Sequence, residues 1–212
     1  MSLKVIIFDF DGTLADSLTA LVAITNRLAG EFGYKRVALE ELEQVRNLSS
    51  RQIIKESGVS IFQIPFLLRR VKAELRQDIE QLNPVVGIKE ILVQLNEQGN
   101  RLGILTSNSE ENVITFLVKH KMLNLFRFID SGVTLFGKDK ALKRMMIQNK
   151  FRAEELIYVG DETRDIDAAK KIPIQVIAVS WGFNSSEALA QHYPDFLIHY
   201  PSELLEIIAR IQ

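Results

Sequence analysis

Apolar and polar positions along this chain follow two different periods. Short, nearly continuous apolar runs stand at 4–9, 101–106, 127–131, 156–159, 175–180 and 195–198. Runs of that length with little polar interruption fit strands covered on both faces. Between most of them the apolar spacing lengthens to that of a helix, over 87–98, 109–120, 138–149, 164–171 and 201–211. Strands alternating with helices predict an α/β fold, a Rossmann-like parallel sheet flanked by helices. Ligands of such sheets bind beyond the carboxyl ends of the strands.

One stretch breaks the alternation. Asp16–Gly33 carries Leu18, Leu21, Val22, Ile24, Thr25 and Leu28 at helical spacing, and Leu39–Arg46, Ser50–Ser57 and Ile61–Ile79 continue in the same way. Ser49 and Ser50 can cap the third piece. Pro84-Val85-Val86-Gly87 marks the return to alternation. Residues 16–83 therefore read as an inserted helical bundle, and 1–15 with 84–212 as the α/β unit.

Polar chemistry collects where the apolar runs end. Val5-Ile6-Ile7-Phe8 runs into Asp9-Phe10-Asp11-Gly12-Thr13, and Leu156-Ile157-Tyr158-Val159 into Gly160-Asp161-Glu162-Thr163-Arg164-Asp165. Carboxylates at the end of a buried strand are costly unless their charge is offset. Two such ends that meet make a hard, oxygen-rich cation site. Strand alternation puts Asp9 and Asp11 on one side and Phe10 on the other. Gly12 suits a tight turn, and Thr13 can close that turn through its hydroxyl. Asp161 and Asp165, four apart, share a face if the segment is already helical. The run ending at Leu105 leads into Thr106-Ser107-Asn108-Ser109. Ser109 with Glu110 and Glu111 behind it reads as a helix N-cap, and a helix N-terminus also binds phosphate.

The segment Asp9-Phe10-Asp11-Gly12-Thr13-Leu14-Ala15-Asp16-Ser17 resembles the first motif of the haloacid dehalogenase superfamily, in its phosphatase branch. The resemblance implies that Asp9 is a nucleophile forming an aspartyl-phosphate and Asp11 a general acid and base. Dehalogenase members lack the second Asp, so Asp11 favours phosphoryl transfer. Thr106 stands where the second motif has its Ser or Thr. Gly137-Lys138-Asp139-Lys140 supplies the motif lysine; Lys138 fits best, and Lys140 is its rival because Asp139 replaces the commoner Pro. Gly160–Asp165 is similar to the fourth motif. The resemblance thus implies a catalytic set of Asp9, Asp11, Thr106 and Lys138. It implies Mg²⁺ on Asp9, the backbone carbonyl of Asp11, Asp161 and, in support, Asp165. Gly12, Ser107 and Asn108 would hold the phosphoryl group.

The same resemblance makes residues 16–83 a C1-type helical cap. Ala178-Val179-Ser180-Trp181-Gly182-Phe183-Asn184 is similar to the stretch after the fifth strand in the phosphoglycolate phosphatase-like group. A Mg²⁺-dependent phosphatase of a small phosphomonoester is the expected function. Arg46-Asn47-Leu48-Ser49-Ser50-Arg51 resembles the cap motif of β-phosphoglucomutase-like enzymes. A sugar phosphomutase or a pyrophosphatase is therefore the alternative, and a non-catalytic binding module a more distant one. Arg46 is the candidate for contact with the non-reacting end of the substrate, because a guanidinium pairs well with a carboxylate or a hydroxyl-rich group.

Composition narrows the setting. The chain has no cysteine, which removes disulfides, thiolate nucleophiles and thiolate metal sites. Its net charge of −1 gives no reason to expect a nucleic-acid partner. None of the three histidines stands near a motif. No apolar run reaches the length of a membrane span, and the chain enters a strand pattern at once, which leaves no room for a signal peptide. The expectation is a cytoplasmic monomer or homodimer whose partner is a small phosphorylated metabolite.

Overall fold

The computed structural model describes residues 3–134 and 137–211. Among them, six strands form one parallel sheet: β1 (Val5–Phe8), β2 (Arg101–Leu105), β3 (Phe126–Asp130), β4 (Leu156–Gly160), β5 (Gln175–Val179) and β6 (Phe196–Ile198). Their order across the sheet is β3-β2-β1-β4-β5-β6. All six coincide with the predicted apolar runs to within a residue or two.

The runs are apolar throughout because both sheet faces are covered. Successive side chains of β1 go to opposite faces. Ile6 and Phe8 join one buried cluster and Val5 and Ile7 the other. On the first face lie α5 (Ile88–Glu97), α6 (Glu110–Lys119) and α10 (Glu203–Ile211). On the second lie α7 (Lys138–Asn149), α8 (Thr163–Lys170) and α9 (Ser186–Gln191). On α6, Ser109 is the N-cap and accepts the Asn112 N–H. Phe116 packs edge-on against Phe10, with ring centroids 5.1 Å apart. Such a pair adds about 1 kcal/mol beyond burial.

Between β1 and α5 the chain is helical: α1 (Leu18–Phe32), α2 (Leu42–Arg46), α3 (Ser50–Ser57) and α4 (Ile64–Asp78), with short 3₁₀ turns before α2 and after α4. Ser49 begins α3 with a reciprocal capping box to Gln52. This segment is packed unevenly. Ile24, Leu28, Val71, Leu75, Ile79 and Leu82 belong to the same buried cluster as Phe10 and Phe116. By contrast, α2 and α3 contain no fully buried residue. The base of α1 and α4 is therefore welded to the first sheet face, while α2 and α3 stand above the strand ends. The segment leaves and returns at one point, where Ala15 bridges both Asp11 and Pro84.

Candidate active site

The sheet order decides where chemistry can gather. β1 lies between β2 and β4, so the carboxyl ends of these three strands open onto one crevice. Asp9 follows β1, and its N–H donates to Val159 O at 2.8 Å. Asp161 follows β4, and Thr106 follows β2. The predicted residues Asp9, Asp11, Thr106, Asn108, Lys138, Asp161 and Asp165 are all brought to this crevice. Every one but Asp11 is buried, and Asp11 is partly exposed.

Lys138 opens α7 and is 2% exposed. Its ammonium donates to Asp9 Oδ2 at 2.5 Å and also to Asp165 Oδ1. Burial alone would push this lysine down, but Asp165 and Asp9 outweigh it and the ammonium is held charged. Lys140, two residues on, is exposed at the rim of a cleft between α4 and the sheet unit.

Asp161 is not helical. α8 begins at Thr163 with Glu162 extended before it, so the expected four-residue helical spacing of Asp161 and Asp165 does not hold. Asp161 comes from a strand end and Asp165 from the first helical turn, where it accepts the Glu162 N–H. The two meet because the chain turns between them. Thr13 also departs from expectation. Its hydroxyl does not close its own turn; it donates to Asp161 Oδ1 at 2.7 Å. Backbone bonds from Leu14 and Ala15 to Phe10 O close the turn instead. The Phe183 N–H donates to Asp161 Oδ2 at 2.7 Å. Glycine is required on both sides of this carboxylate. A Cβ on Gly12 (φ 75°) or on Gly182 would overlap Asp161 Oδ2. Gly12 thus serves Asp161 directly.

Asp11 turns away from the other carboxylates. Asn108 Nδ2 donates to its Oδ2 at 2.9 Å, while its Oδ1 has no hydrogen-bond partner among the described residues. Ser17 Oγ is close enough to favour the charged form, yet makes no bond of ordinary geometry. Burial first, and then the Asp9 charge, push the Asp11 carboxyl up to about 7. Thr106 Oγ1 accepts the Asn108 N–H at 3.0 Å, which shapes the turn carrying Ser107 and Asn108. Ser107 lines the α4 cleft.

Negative charge is in excess here. Asp9, Asp11, Asp161, Glu162 and Asp165 face Lys138 and Arg164. Burial and the Glu162, Asp9 and Asp165 charges push Asp161 well above the usual carboxylate range. Burial raises Asp165 to about 6 against the pull of Lys138. Carboxylate oxygens of Asp9, Asp161 and Asp165 lie within 4.8 Å of one another. An all-oxygen, anion-rich, buried cluster fits a hard divalent cation and no soft one.

The helical segment meets the sheet unit through contacts that the sequence did not announce. Asn184 Nδ2 donates to Arg46 O and Leu48 O, both at 2.9 Å, and its Oδ1 accepts the Thr163 N–H. Ser50 Oγ donates to Glu162 Oε2 at 2.8 Å. Arg46 is spent on backbone carbonyls. Its Nη2 donates to Ser180 O and Gly182 O and its Nε to Phe183 O, so its guanidinium is consumed in holding the loop after β5. The expected substrate contact of Arg46 would have to compete with these three carbonyls for its guanidinium.

A profile of the haloacid dehalogenase-like hydrolase family matches residues 6–179. The chain belongs to this family. It is 38% identical over 209 residues to the phosphoglycolate phosphatase of Synechococcus elongatus, with 99% of each chain covered. It is 27% identical to the phosphoglycolate phosphatase of Vibrio cholerae, over 98% of this chain and 97% of that one. Among solved structures, a predicted phosphatase from Clostridium acetobutylicum superposes with a TM-score of 0.84 at 20% identity, covering 99% of this chain and all of that one. A predicted phosphoglycolate phosphatase from Haemophilus somnus gives 0.78 at 19%, covering 98% and 99%. These two show the fold. With the full-length relatives, the chain is an enzyme, a phosphoglycolate phosphatase-like hydrolase. No helix among the described residues is long and apolar enough to cross a membrane.

Proposed function

We propose that this hydrolase removes the phosphoryl group from a small phosphomonoester, phosphoglycolate first, through an aspartyl-phosphate on Asp9. The carrying observation is the unequal pair at the end of β1. Asp9 is charge-paired with Lys138, while Asp11, two residues on, is pushed up to about 7 and keeps one oxygen unbonded. One carboxylate suits attack, the other proton transfer near neutral pH.

In the first step an Asp9 oxygen bonds to phosphorus and the phosphorus–oxygen ester bond breaks. The Asp11 proton goes to the departing alkoxide, which leaves as an alcohol. In the second, Asp11 takes a proton from water as that water attacks phosphorus. The bond to Asp9 breaks, and inorganic phosphate and the free carboxylate result. Thr106, Lys138 and backbone N–H groups near Gly12, Ser107 and Asn108 would hold the phosphoryl oxygens. Asp9, the Asp11 carbonyl, Asp161 and Asp165 would hold Mg²⁺, which supplies the charge neutralisation that lets an anionic carboxylate meet an anionic phosphate.

Residues 16–83 would act as the C1-type cap over a core of 1–15 and 84–212. The lone crossing at Ala15 and Pro84 and the Asn184 and Ser50 contacts support that division. The small charged substrate calls for a cytoplasmic setting, as monomer or homodimer. No observation favours the phosphomutase or pyrophosphatase alternative. The test is phosphate release from a panel of phosphorylated metabolites in Mg²⁺. Release from phosphoglycolate above simple sugar phosphates is expected; none from any phosphomonoester would overturn the proposal.

A further inference from the structure

A cleft of about 950 Å³ opens between α4 and the sheet unit, and its floor includes Ser107. Its wall on the α4 side carries Arg69, Lys72 and Arg76, at intervals of three and four residues, which places them on one helix face. Lys140 adds a fourth cation from α7. The one carboxylate lining the cleft among the described residues, Glu111, is already paired with Arg76 at 2.5 Å. Arg69, Lys72 and Lys140 form no ion pair among the described residues. Lys72 differs from the other two because it is partly buried rather than exposed. Burial disfavours its charge, and the Asp11 carboxylate only partly compensates. A half-buried ammonium that faces a cleft, forms no ion pair among the described residues and has its burial only partly compensated is a feature that an anionic ligand would complete.

The main chain at Lys72 is tied to Asp11 through side chains. Asn112, itself buried, donates from Nδ2 to Lys72 O at 3.1 Å and to Asn108 Oδ1 at 3.0 Å. Asn108 in turn donates to Asp11 Oδ2 at 2.9 Å. A run of three side chains thus ties the helix turn that carries Lys72 to the proposed proton donor. Asp11 addresses the ester oxygen of the substrate in the phosphatase mechanism above, on which this inference rests. Lys72 lines the cleft whose floor is Ser107, next to the turn that carries Asn108, and its ammonium feels the Asp11 charge.

We propose that Lys72 is a specificity-determining residue that binds a second anionic group of the substrate, a carboxylate one or two carbons from the ester oxygen. Arg69, a turn away and more exposed, would receive the same group in a longer substrate. The preferred substrate class is then short phosphorylated hydroxy acids, not neutral or cationic phosphomonoesters.

The experiment compares kcat/KM for phosphoglycolate, ethyl phosphate and O-phosphoethanolamine in wild type, Lys72→Met and Lys72→Glu, with thermal melting to show that each variant folds. Lys72→Met should lose ~10- to 100-fold on phosphoglycolate, the range for a hydrogen bond to a charged group, and at least ~10-fold less on ethyl phosphate. Lys72→Glu should reverse the order of phosphoglycolate and O-phosphoethanolamine. An equal loss on all three substrates would place Lys72 in the chemistry through Asp11 and overturn the specificity role alone. No loss on any would overturn it too. A wild-type enzyme that hydrolyses none of the three would overturn the phosphatase mechanism and this inference together.

Discussion

Lys138 donates to Asp9 Oδ2 at 2.5 Å, and the same ammonium bridges to Asp165. One lysine, 2% exposed, therefore holds a residue at the end of β1 against another in the first turn of α8. Removing it leaves two buried carboxylates facing each other with no direct ion pair, and only Arg164 nearby as counter-charge. Such a loss costs about 3–5 kcal/mol. Lys138→Met should cut kcat/KM by at least ~10³-fold and lower the melting temperature. Lys140→Ala touches neither carboxylate and should cost only a few-fold. Steady-state kinetics of the two variants decide it, and the reverse ranking would make Lys140 the motif lysine.

Asp9→Asn keeps the shape of the side chain and its bond from the Phe10 N–H, which Oδ1 accepts at 2.8 Å. It removes the nucleophile and one negative charge from a crowded cluster. Turnover should fall below ~0.1% of wild type, while circular dichroism and melting remain those of a folded protein. Mass spectrometry of quenched wild type during turnover should show a phosphoryl adduct that Asp9→Asn lacks. A folded Asp9→Asn protein with near-normal turnover would sink the covalent mechanism.

Asp11 gives a pH signature in stability, measured in chelator so that no metal contributes. Its carboxyl is raised from 3.8 to about 7 in the folded protein. A raised carboxyl favours the fold while protonated in both states. That contribution is full below the unfolded pKa and is lost as pH rises through the folded one. Asp11→Asn does not titrate. Its stability relative to wild type should therefore grow between pH 4 and 7 and level off above, by about 1–3 kcal/mol after discounting for partial solvent access. Denaturant melts at pH 5 and pH 8 measure this, and a gap that narrows with rising pH would contradict the burial of Asp11.

The six strands were legible because each is a buried apolar run in a sheet covered on both faces, a pattern few other structures share. α9 (Ser186–Gln191) was not, since six residues are too few to display a helical period. The acidic strand ends could be read as a cation site, but the geometry of Asp161 and Asp165 could not. A four-residue interval looks the same whether or not the helix has begun. Lys72 and Asn112 gave no local signal at all, and the stretch that ends at Asn184 gave no hint of its partners. Their roles come from partners 40, 4 and 136–138 residues away, and an amphipathic helix with a lysine on its polar side is unremarkable until a crevice lies opposite.

Chelation should silence the enzyme, and Mg²⁺ should restore it. Calorimetric titration adds a readout independent of turnover. Asp9, Asp161 and Asp165 present oxygens within 4.8 Å, and burial, with repulsion from neighbouring carboxylates, raises Asp161 and Asp165. A dication relieves that repulsion, so binding should release protons and raise the melting temperature. Asp161→Asn removes a central donor and should weaken Mg²⁺ binding by at least ~10-fold. Full activity in excess chelator, or equal Mg²⁺ affinity in Asp161→Asn, would remove the metal from the mechanism.

Arg46 holds the loop after β5. Its guanidinium meets the carbonyls of Ser180, Gly182 and Phe183 at 3.1–3.3 Å, and pairs with Glu43 on its outer side. The same loop presents the Phe183 N–H that fixes Asp161. Arg46→Ala strips three partly buried carbonyls of their donor, at about 1–3 kcal/mol in all. For a chain of this length that lowers the melting temperature by roughly 3–8 °C. The loosened loop then lets Asp161 drift, and both substrates feel it. kcat/KM should fall by the same factor for phosphoglycolate and for a generic aryl phosphate, and Arg46→Lys should recover only part, because an ammonium cannot span three acceptors in a plane. A fall confined to phosphoglycolate, with unchanged melting, would instead put the guanidinium on the substrate and return Arg46 to recognition.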